Sequence, residues 1–267
     1  MMEQATCVRV EDAVDEVADQ LISLVKTIPD ARRQVPNCPG STIADVMAHL
    51  VTVTPRYEAG PQGGGDWVDT PVQLPALNAR QMQRVDTREV HELAAQLLAA
   101  LRSLRMTIDS FSDPTPTFHF HGGELVDAYS ALGILLGELI VHGYDIASSL
   151  GSPWPIVPSH VGMVVDGINP ILPGWLDARR SDRHNATYEL RLRGQATHVY
   201  AFSDGILQVN PPDPPPIDVH ISGDPVATLL VLYKRRSQWP SILTGKLLAW
   251  GRRPWLALTF GSRIHRP

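Results

Sequence analysis

The sequence predicts an α+β fold, in which an N-terminal four-helix bundle precedes a smaller α/β domain with a mainly antiparallel sheet. Two observations carry this prediction. Apolar residues recur at helical spacing through roughly the first half of the chain, and short alternating segments separated by turn residues fill most of the rest. The pattern changes after the segment SPWPIVP, so we expect residues 1–154 and 155–267 to form separate domains.

Length and composition are those of a globular protein. The chain has 267 residues, of which 43% are hydrophobic and 19% charged. A net charge of −5 without a basic stripe argues against a nucleic-acid partner. The N-terminus carries early acidic residues and lacks the apolar core of a signal peptide, and we find no uninterrupted apolar run of membrane-spanning length. We therefore expect a cytoplasmic protein that does not insert into a membrane.

Four helices are expected in the N-terminal domain, and each of the first three has one apolar stripe. Thr42 and Asp45 form a capping-box pair that starts the second helix. Gly151 is a normal C-terminal glycine for the fourth. The predicted helices are residues 9–27, a second helix from residue 42, residues 86–111 and residues 124–150.

A connection over residues 55–85 contains GPQGGGDW and three further prolines and shows no sustained periodicity. Long connections in compact domains are often binding loops. Trp67 could therefore cover a ligand, although a loosely ordered connector explains the segment equally well.

The C-terminal domain is predicted to begin with a helix over 158–178, interrupted by Pro170 and Pro173. Ser203-Asp204-Gly205 then joins two short strands as a hairpin. The remaining expected elements are strands at 187–194, 198–202, 206–209, 217–223 and 247–251, a helix at 225–236 and a closing helix at 254–260.

Three cation-binding side chains, Glu138, His142 and Asp145, share one face of the fourth helix. That helix is apolar almost all round, so we expect Glu138 to be buried and to face a cation. The cation could be a basic side chain or a metal ion shared with His142. His49, at the edge of the apolar stripe of the second helix, is a possible third ligand. Two imidazoles and one carboxylate with a fourth position open are typical of catalytic zinc.

Two aspartates lie near these candidate ligands. Asp45 precedes His49 by one turn and could orient its imidazole, although helix capping explains it equally well. Asp145 could support the site in the same way, or could simply be a helix charge.

Three segments carry a family resemblance. The motifs DVMAHL at 45–50, ELIVHGYD at 138–145 and SLGSPW at 149–154 resemble the mycothiol-dependent maleylpyruvate isomerase family, one of the DinB-like metal-binding four-helix bundles. The resemblance implies that His49, Glu138 and His142 hold a zinc ion. It also implies mycothiol as a thiol cosubstrate and a small electrophile as substrate.

The C-terminal half carries a second part of this resemblance. Residues 221–236 and 243–260 resemble the domain that accompanies the bundle in that family, which is itself similar to sterol-carrier-protein domains. The resemblance implies that one arginine of this domain reaches the active site, whereas an ordinary surface position is the alternative for each. The candidates are Arg235, Arg236, Arg252 and Arg253.

Other side chains could approach the same site. His119 and His121 alternate with phenylalanines between the third and fourth helices, and could be ligands or substrate contacts. Cys38 lies just before the second helix. Cys7 and Cys38 have the spacing of neither a disulfide framework nor a metal site, so each is expected to be a free thiol.

Zinc with an open position would hold an incoming thiol as its thiolate, a nucleophile. The hypothesis is therefore a zinc-dependent enzyme that uses mycothiol, either to isomerise maleylpyruvate or to transfer the thiol to an electrophile. Three other functions stay open: a carrier of lipid or another apolar ligand in the C-terminal domain, a zinc-dependent hydrolase, and a catalytically silent metal-binding regulator.

Overall fold

The computed structural model of the chain describes residues 2–111 and 116–265, with side chains from residue 9 onward. The side chain of Cys7 and part of the segment 113–123 lie outside these residues. Helices occupy the first half and a five-stranded sheet the second, so the predicted α+β class is confirmed.

Four long helices pack together as the predicted bundle, and a short fifth helix lies in the connection after the second. Thr42 caps the second helix through the predicted capping box with Asp45, and Gly151 ends the last with a φ of +68°. In chain order the helices are α1 (Met2–Val25), α2 (Ile43–Ala59), α3 (Leu74–Met82), α4 (Val90–Asp109) and α5 (Ala128–Leu150).

Helix α5 is the core of the helical region. It packs against α1 and α2 of the bundle and against α6 (Pro158–Ile168), the next helix along the chain. Its length and hydropathy would suffice for a membrane span, but 83% of its most apolar stretch is buried inside the protein. An apolar surface on every side is thus covered by neighbouring helices, as in a core helix.

The sheet region, residues 186–265, follows the short helix α7 (Ala178–Ser181). Its strand order is β5-β4-β3-β6-β7; β3 and β6 are parallel and the other neighbours antiparallel. Asp204 and Gly205, with φ of 48° and 80°, form the predicted hairpin turn. The strands are β3 (Ala186–Leu192), β4 (Thr197–Ser203), β5 (Ile206–Val209), β6 (Val219–Gly223) and β7 (Leu247–Gly251); β1 (Phe118–His119) and β2 (Leu125–Val126) pair separately.

Several predicted elements differ in the structure. The connection 55–85 contains the end of α2 and all of α3, rather than a loop throughout. The helix expected at 225–236 is shorter, because α8 (Pro225–Leu232) ends before Lys234 takes a left-handed φ of 54°. The closing segment is a 3₁₀ helix, Pro254–Ser262, and α9 (Gln238–Leu243) was not predicted.

The predicted boundary between residues 154 and 155 stays a prediction. Helix α6, which follows this boundary in the chain, packs closely on α5. Gly133 of α5 and Gly167 of α6 meet at this crossing, where a Cβ on Gly133 would lie 2.6 Å from the Met163 carbonyl oxygen. Helix α6 also contacts α8, so it links the bundle to the sheet region.

Candidate metal centre

Helices α2 and α5 bring His49, Glu138 and His142 together. One carboxylate oxygen of Glu138, Oε2, lies 3.3 Å from His49 Nε2 and 3.2 Å from His142 Nε2. The two imidazole rings meet edge to face, with centroids 5.0 Å apart. Glu138 was predicted to be buried, and its side chain is 16% exposed because it borders a cavity.

The spacing of these donors fits a zinc ion. Zinc binds histidine nitrogen and carboxylate oxygen at about 2.0–2.2 Å, which sets neighbouring ligand atoms of a tetrahedral site about 3.3–3.5 Å apart. The two distances to Glu138 Oε2 are close to this value, and all three donor atoms lie within 4.8 Å of one another. Two nitrogens and one oxygen also match the ligand preferences of zinc.

A buried aspartate stands behind His142. Asp145 is fully buried, and its Oδ2 lies 3.3 Å from His142 Nδ1. A carboxylate at the second ring nitrogen fixes the tautomer and orientation of a ligand histidine, and leaves Nε2 free to bind a cation. Asn37 donates to Asp145 Oδ1 at 3.1 Å, and the Cys38 thiol lies 3.4 Å from Oδ2.

Among the four candidate arginines, Arg235 is the one that contacts these residues in the part of the chain described. Its Nε and Nη2 donate to Asp145 at distances from 2.7 to 3.2 Å. The left-handed turn after α8 aims the side chain at α5. Arg236 contacts Tyr144, Arg252 pairs with Asp218, and Arg253 donates to the Asn185 carbonyl.

The electrostatics of the cluster favour a cation. Burial opposes ionisation of Glu138, but hydrogen bonds from His142 and His49 outweigh it and hold the pKa of the carboxyl well below its usual range. Burial also opposes ionisation of Asp145, but hydrogen bonds from His142 and Arg235 outweigh it and lower the pKa of this carboxyl to about 2. Burial lowers the pKa of His49, whereas hydrogen bonds with Asp145, Cys38 and Glu138 outweigh burial and raise that of His142.

A cavity of about 240 Å³ opens beside the three donors. Two of its polar wall residues, Arg56 and His121, are almost fully buried. His121 was expected as a possible ligand or substrate contact, whereas Arg56 was not singled out from the sequence. Arg56 continues the inward face of α2 two turns after His49, but the sequence prediction placed residues 55–85 in a connection rather than in that helix. Apolar walls are supplied by Val46, Val53, Leu74, Phe120, Ile134 and Trp175.

The remaining predicted residues have other partners. Asp45 also lines the cavity, but its carboxylate caps α2 and pairs with Arg88 at 3.1 Å. His119 is exposed and lies 3.2 Å from the Gly123 carbonyl oxygen. Trp67 packs against Phe118, Phe120 and His121.

A larger cavity, of about 430 Å³, lies in the sheet region. Its walls are mainly apolar and come from α8, the strands and the closing 3₁₀ helix. Lys234, Arg235 and Arg236 also line it. This cavity, the groove of the sheet region, has the size and charge to accept an apolar molecule with an anionic end.

The comparisons with known proteins agree with this architecture. The family model for the mycothiol maleylpyruvate isomerase N-terminal domain matches residues 13–147, just over half of the chain. Crystal structures of the mycothiol-dependent maleylpyruvate isomerase and of a histidine-to-alanine mutant of it share the fold, each with a TM-score of 0.52 and 12% identity. The match covers 84% of this chain and 87% of each of those chains. No curated protein sequence matches the chain. On the family match, this chain belongs to the mycothiol-dependent maleylpyruvate isomerase family, which is a family of enzymes.

Proposed function

We propose that this protein is a zinc-dependent enzyme that uses mycothiol as its thiol cosubstrate and isomerises maleylpyruvate. The observation that carries the proposal is the convergence of His49, Glu138 and His142 at the edge of a cavity, with Asp145 behind His142. Family membership supports the thiol. We also propose the division into domains at residues 154 and 155 and a cytoplasmic location.

In this proposal the chain supplies a preorganised site. His49 and His142 present Nε2 to the cavity, and Asp145 fixes the ring of His142 through Nδ1. Arg235 neutralises Asp145 and ties the sheet region to α5. Zinc, when bound here, would supply the positive charge that keeps a thiol in its thiolate form at neutral pH.

Metal analysis of the purified protein tests the site. We expect about one zinc per chain in the wild type and loss of zinc in His49→Ala and His142→Ala, because each substitution removes one of three ligands. The exposed His119→Ala is the matched control and should keep its zinc. A wild type without zinc after zinc is supplied, or folded ligand variants that retain it, would contradict the proposal.

Turnover assays then test the reaction. The zinc-loaded protein should convert maleylpyruvate only when mycothiol is added. Conversion of a general electrophile in place of maleylpyruvate would indicate thiol transfer instead, and hydrolysis without thiol would indicate a zinc hydrolase. No turnover with either electrophile would contradict an enzyme of this class.

The groove of the sheet region favours a second candidate, a carrier of an apolar ligand. Native mass spectrometry distinguishes the two functions. A lipid that copurifies with a metal-free protein would support the carrier, whereas a zinc-loaded protein without lipid would support the enzyme.

A further inference from the structure

Arg56 is a buried cation with only neutral hydrogen-bond partners. Its side chain is 6% exposed and lines the same cavity as the metal-binding residues. Nε donates to Gln81 Oε1 at 2.9 Å, and Nη2 donates to Asn78 Oδ1 at 2.6 Å. These bonds hold α3 against α2 and leave the third nitrogen, Nη1, for another partner.

Nη1 lies 3.4 Å from Nε2 of the His121 imidazole. The shorter contact of this ring, with Val68, decides where its proton lies. The Val68 amide donates to His121 Nδ1 at 3.2 Å, so Nδ1 is an acceptor. Burial and the positive charge of Arg56 lower the pKa of His121 to about 3, so the ring is neutral at neutral pH. A neutral imidazole with an unprotonated Nδ1 carries its proton on Nε2.

Arg56 Nη1 and His121 Nε2 are therefore two donors, 3.4 Å apart, that face each other without an acceptor between them. No carboxylate forms an ion pair with Arg56 among residues 9–111 and 116–265, and Glu138 and Asp66 act on it only through longer-range attraction. A buried guanidinium without an anion carries a desolvation cost that a bound anion would offset.

We propose that Arg56 and His121 bind a carboxylate of the substrate and thereby select small carboxylate electrophiles. This inference rests on the proposed function, since it places the anion in the cavity that borders the metal-binding residues. His49 and Arg56 are seven residues apart on α2, which is about 10 Å along the helix axis. The carboxylate and the carbon attacked by the thiolate must therefore belong to one short molecule that fits between them.

Calorimetric titration of the purified zinc-loaded protein with maleate, without any thiol, tests this site. Arg56→Gln should weaken maleate binding at least about tenfold, because a charged hydrogen-bond donor is lost. Arg56→Lys, which keeps the charge, should restore part of the affinity. Arg105→Gln is the matched control: Arg105 pairs with Asp15, does not line the cavity, and should be dispensable for binding.

Two further arms keep the test decisive if Arg56→Gln perturbs α3. His121→Leu removes the second donor from a different segment and should weaken maleate binding several-fold. The neutral diamide of maleic acid should bind the wild type at least about tenfold more weakly than maleate does. Each variant is first compared with the wild type by thermal unfolding and zinc content.

Maleate affinity that is the same in wild type, Arg56→Gln and His121→Leu would overturn the proposal, since it would locate the anion elsewhere, for example on the metal. Equal affinity for maleate and its diamide, or no maleate binding at all, would also overturn it. Binding through Arg56 in a protein without thiol-dependent turnover would instead contradict the proposed enzyme function and leave this anion site in place.

Discussion

Asp145 joins the two halves of the chain, because it contacts residues of both the helical region and the sheet region. It is fully buried, and it accepts hydrogen bonds from Arg235 of the sheet region while it contacts His142 of the proposed zinc site. A buried ion pair adds little net stability as a pair, but loss of one partner leaves the other charge unpaired. Both the free energy of unfolding and the affinity for zinc should therefore depend on Arg235.

Arg235→Gln should lower the free energy of unfolding by about 3 kcal/mol, because the buried Asp145 carboxylate loses its charged partner. Arg252→Gln is the matched control. Arg252 also pairs with an aspartate, at 2.8 Å, but its side chain is 65% exposed, so its loss should cost about 1 kcal/mol or less. Urea unfolding of the three proteins measures both effects.

The same variant should weaken zinc binding by about 10- to 100-fold, since Asp145 would no longer be held against His142 Nδ1. Competition with a chelator measures this affinity. If Arg235→Gln and Arg252→Gln gave equal losses of stability and unchanged zinc affinity, Arg235 would be an ordinary surface arginine after all.

Residue-level prediction from helical spacing worked where the contact is local. Glu138 and His142 are one turn apart on one helix, so their proximity follows from the helical repeat. The contact between Arg56 and His121 joins residues 65 positions apart and depends on how a loop folds over the bundle. No periodicity encodes such a contact, which is why these two residues were not predicted as partners.

At the scale of elements, the crossing of α5 and α6 depends on two glycines. A Cβ on Gly133 would lie 2.6 Å from the Met163 carbonyl and 2.8 Å from Gly167 Cα, and both of these are backbone atoms. A Cβ on Gly137 would instead approach the end of the Val164 side chain at 3.0 Å, which can shift. One helix therefore offers a matched pair of substitutions.

Gly133→Ala should lower the free energy of unfolding by about 1–3 kcal/mol, because the helices must move apart. Gly137→Ala should be close to neutral, since the helix propensity of alanine offsets a small side-chain shift. Chemical denaturation of both variants measures the difference. Equal stability of the two would mean that the crossing is loose enough to admit a methyl group at either position.

Elements with sustained apolar periodicity were predicted well from the sequence, and short ones were not. Helices α4 and α5 lie within the predicted ranges, because α4 keeps one apolar stripe over five turns or more and α5 is apolar almost all round. Helix α3 has nine residues, includes Pro75 and buries only Leu74 and Leu77. Two buried residues give no detectable period, and tertiary contacts such as those of Arg56 hold this helix in place.

At the scale of the whole molecule, burial lowers the pKa of several histidines, and stability should depend on pH accordingly. His184 is 8% exposed and lies 2.9 Å from the Tyr188 hydroxyl. Burial, together with the charges of Arg263 and Arg253, lowers its pKa to about 4 from the usual 6.5. Between these two pH values the unfolded chain binds a proton at this histidine and the folded chain does not.

The free energy of unfolding should therefore fall as the pH decreases from 6.5 towards 4, by on the order of 1–2 kcal/mol at pH 5 from His184 alone.

His184→Gln removes the titrating group and keeps a hydrogen-bonding side chain beside Tyr188. At pH 8 the variant should be less stable than the wild type by the cost of the altered packing. This difference should shrink as the pH falls to 5, because only the wild type pays for keeping His184 neutral. Urea unfolding at the two pH values measures it, and a constant difference would show that His184 protonates as readily in the folded chain as in the unfolded one.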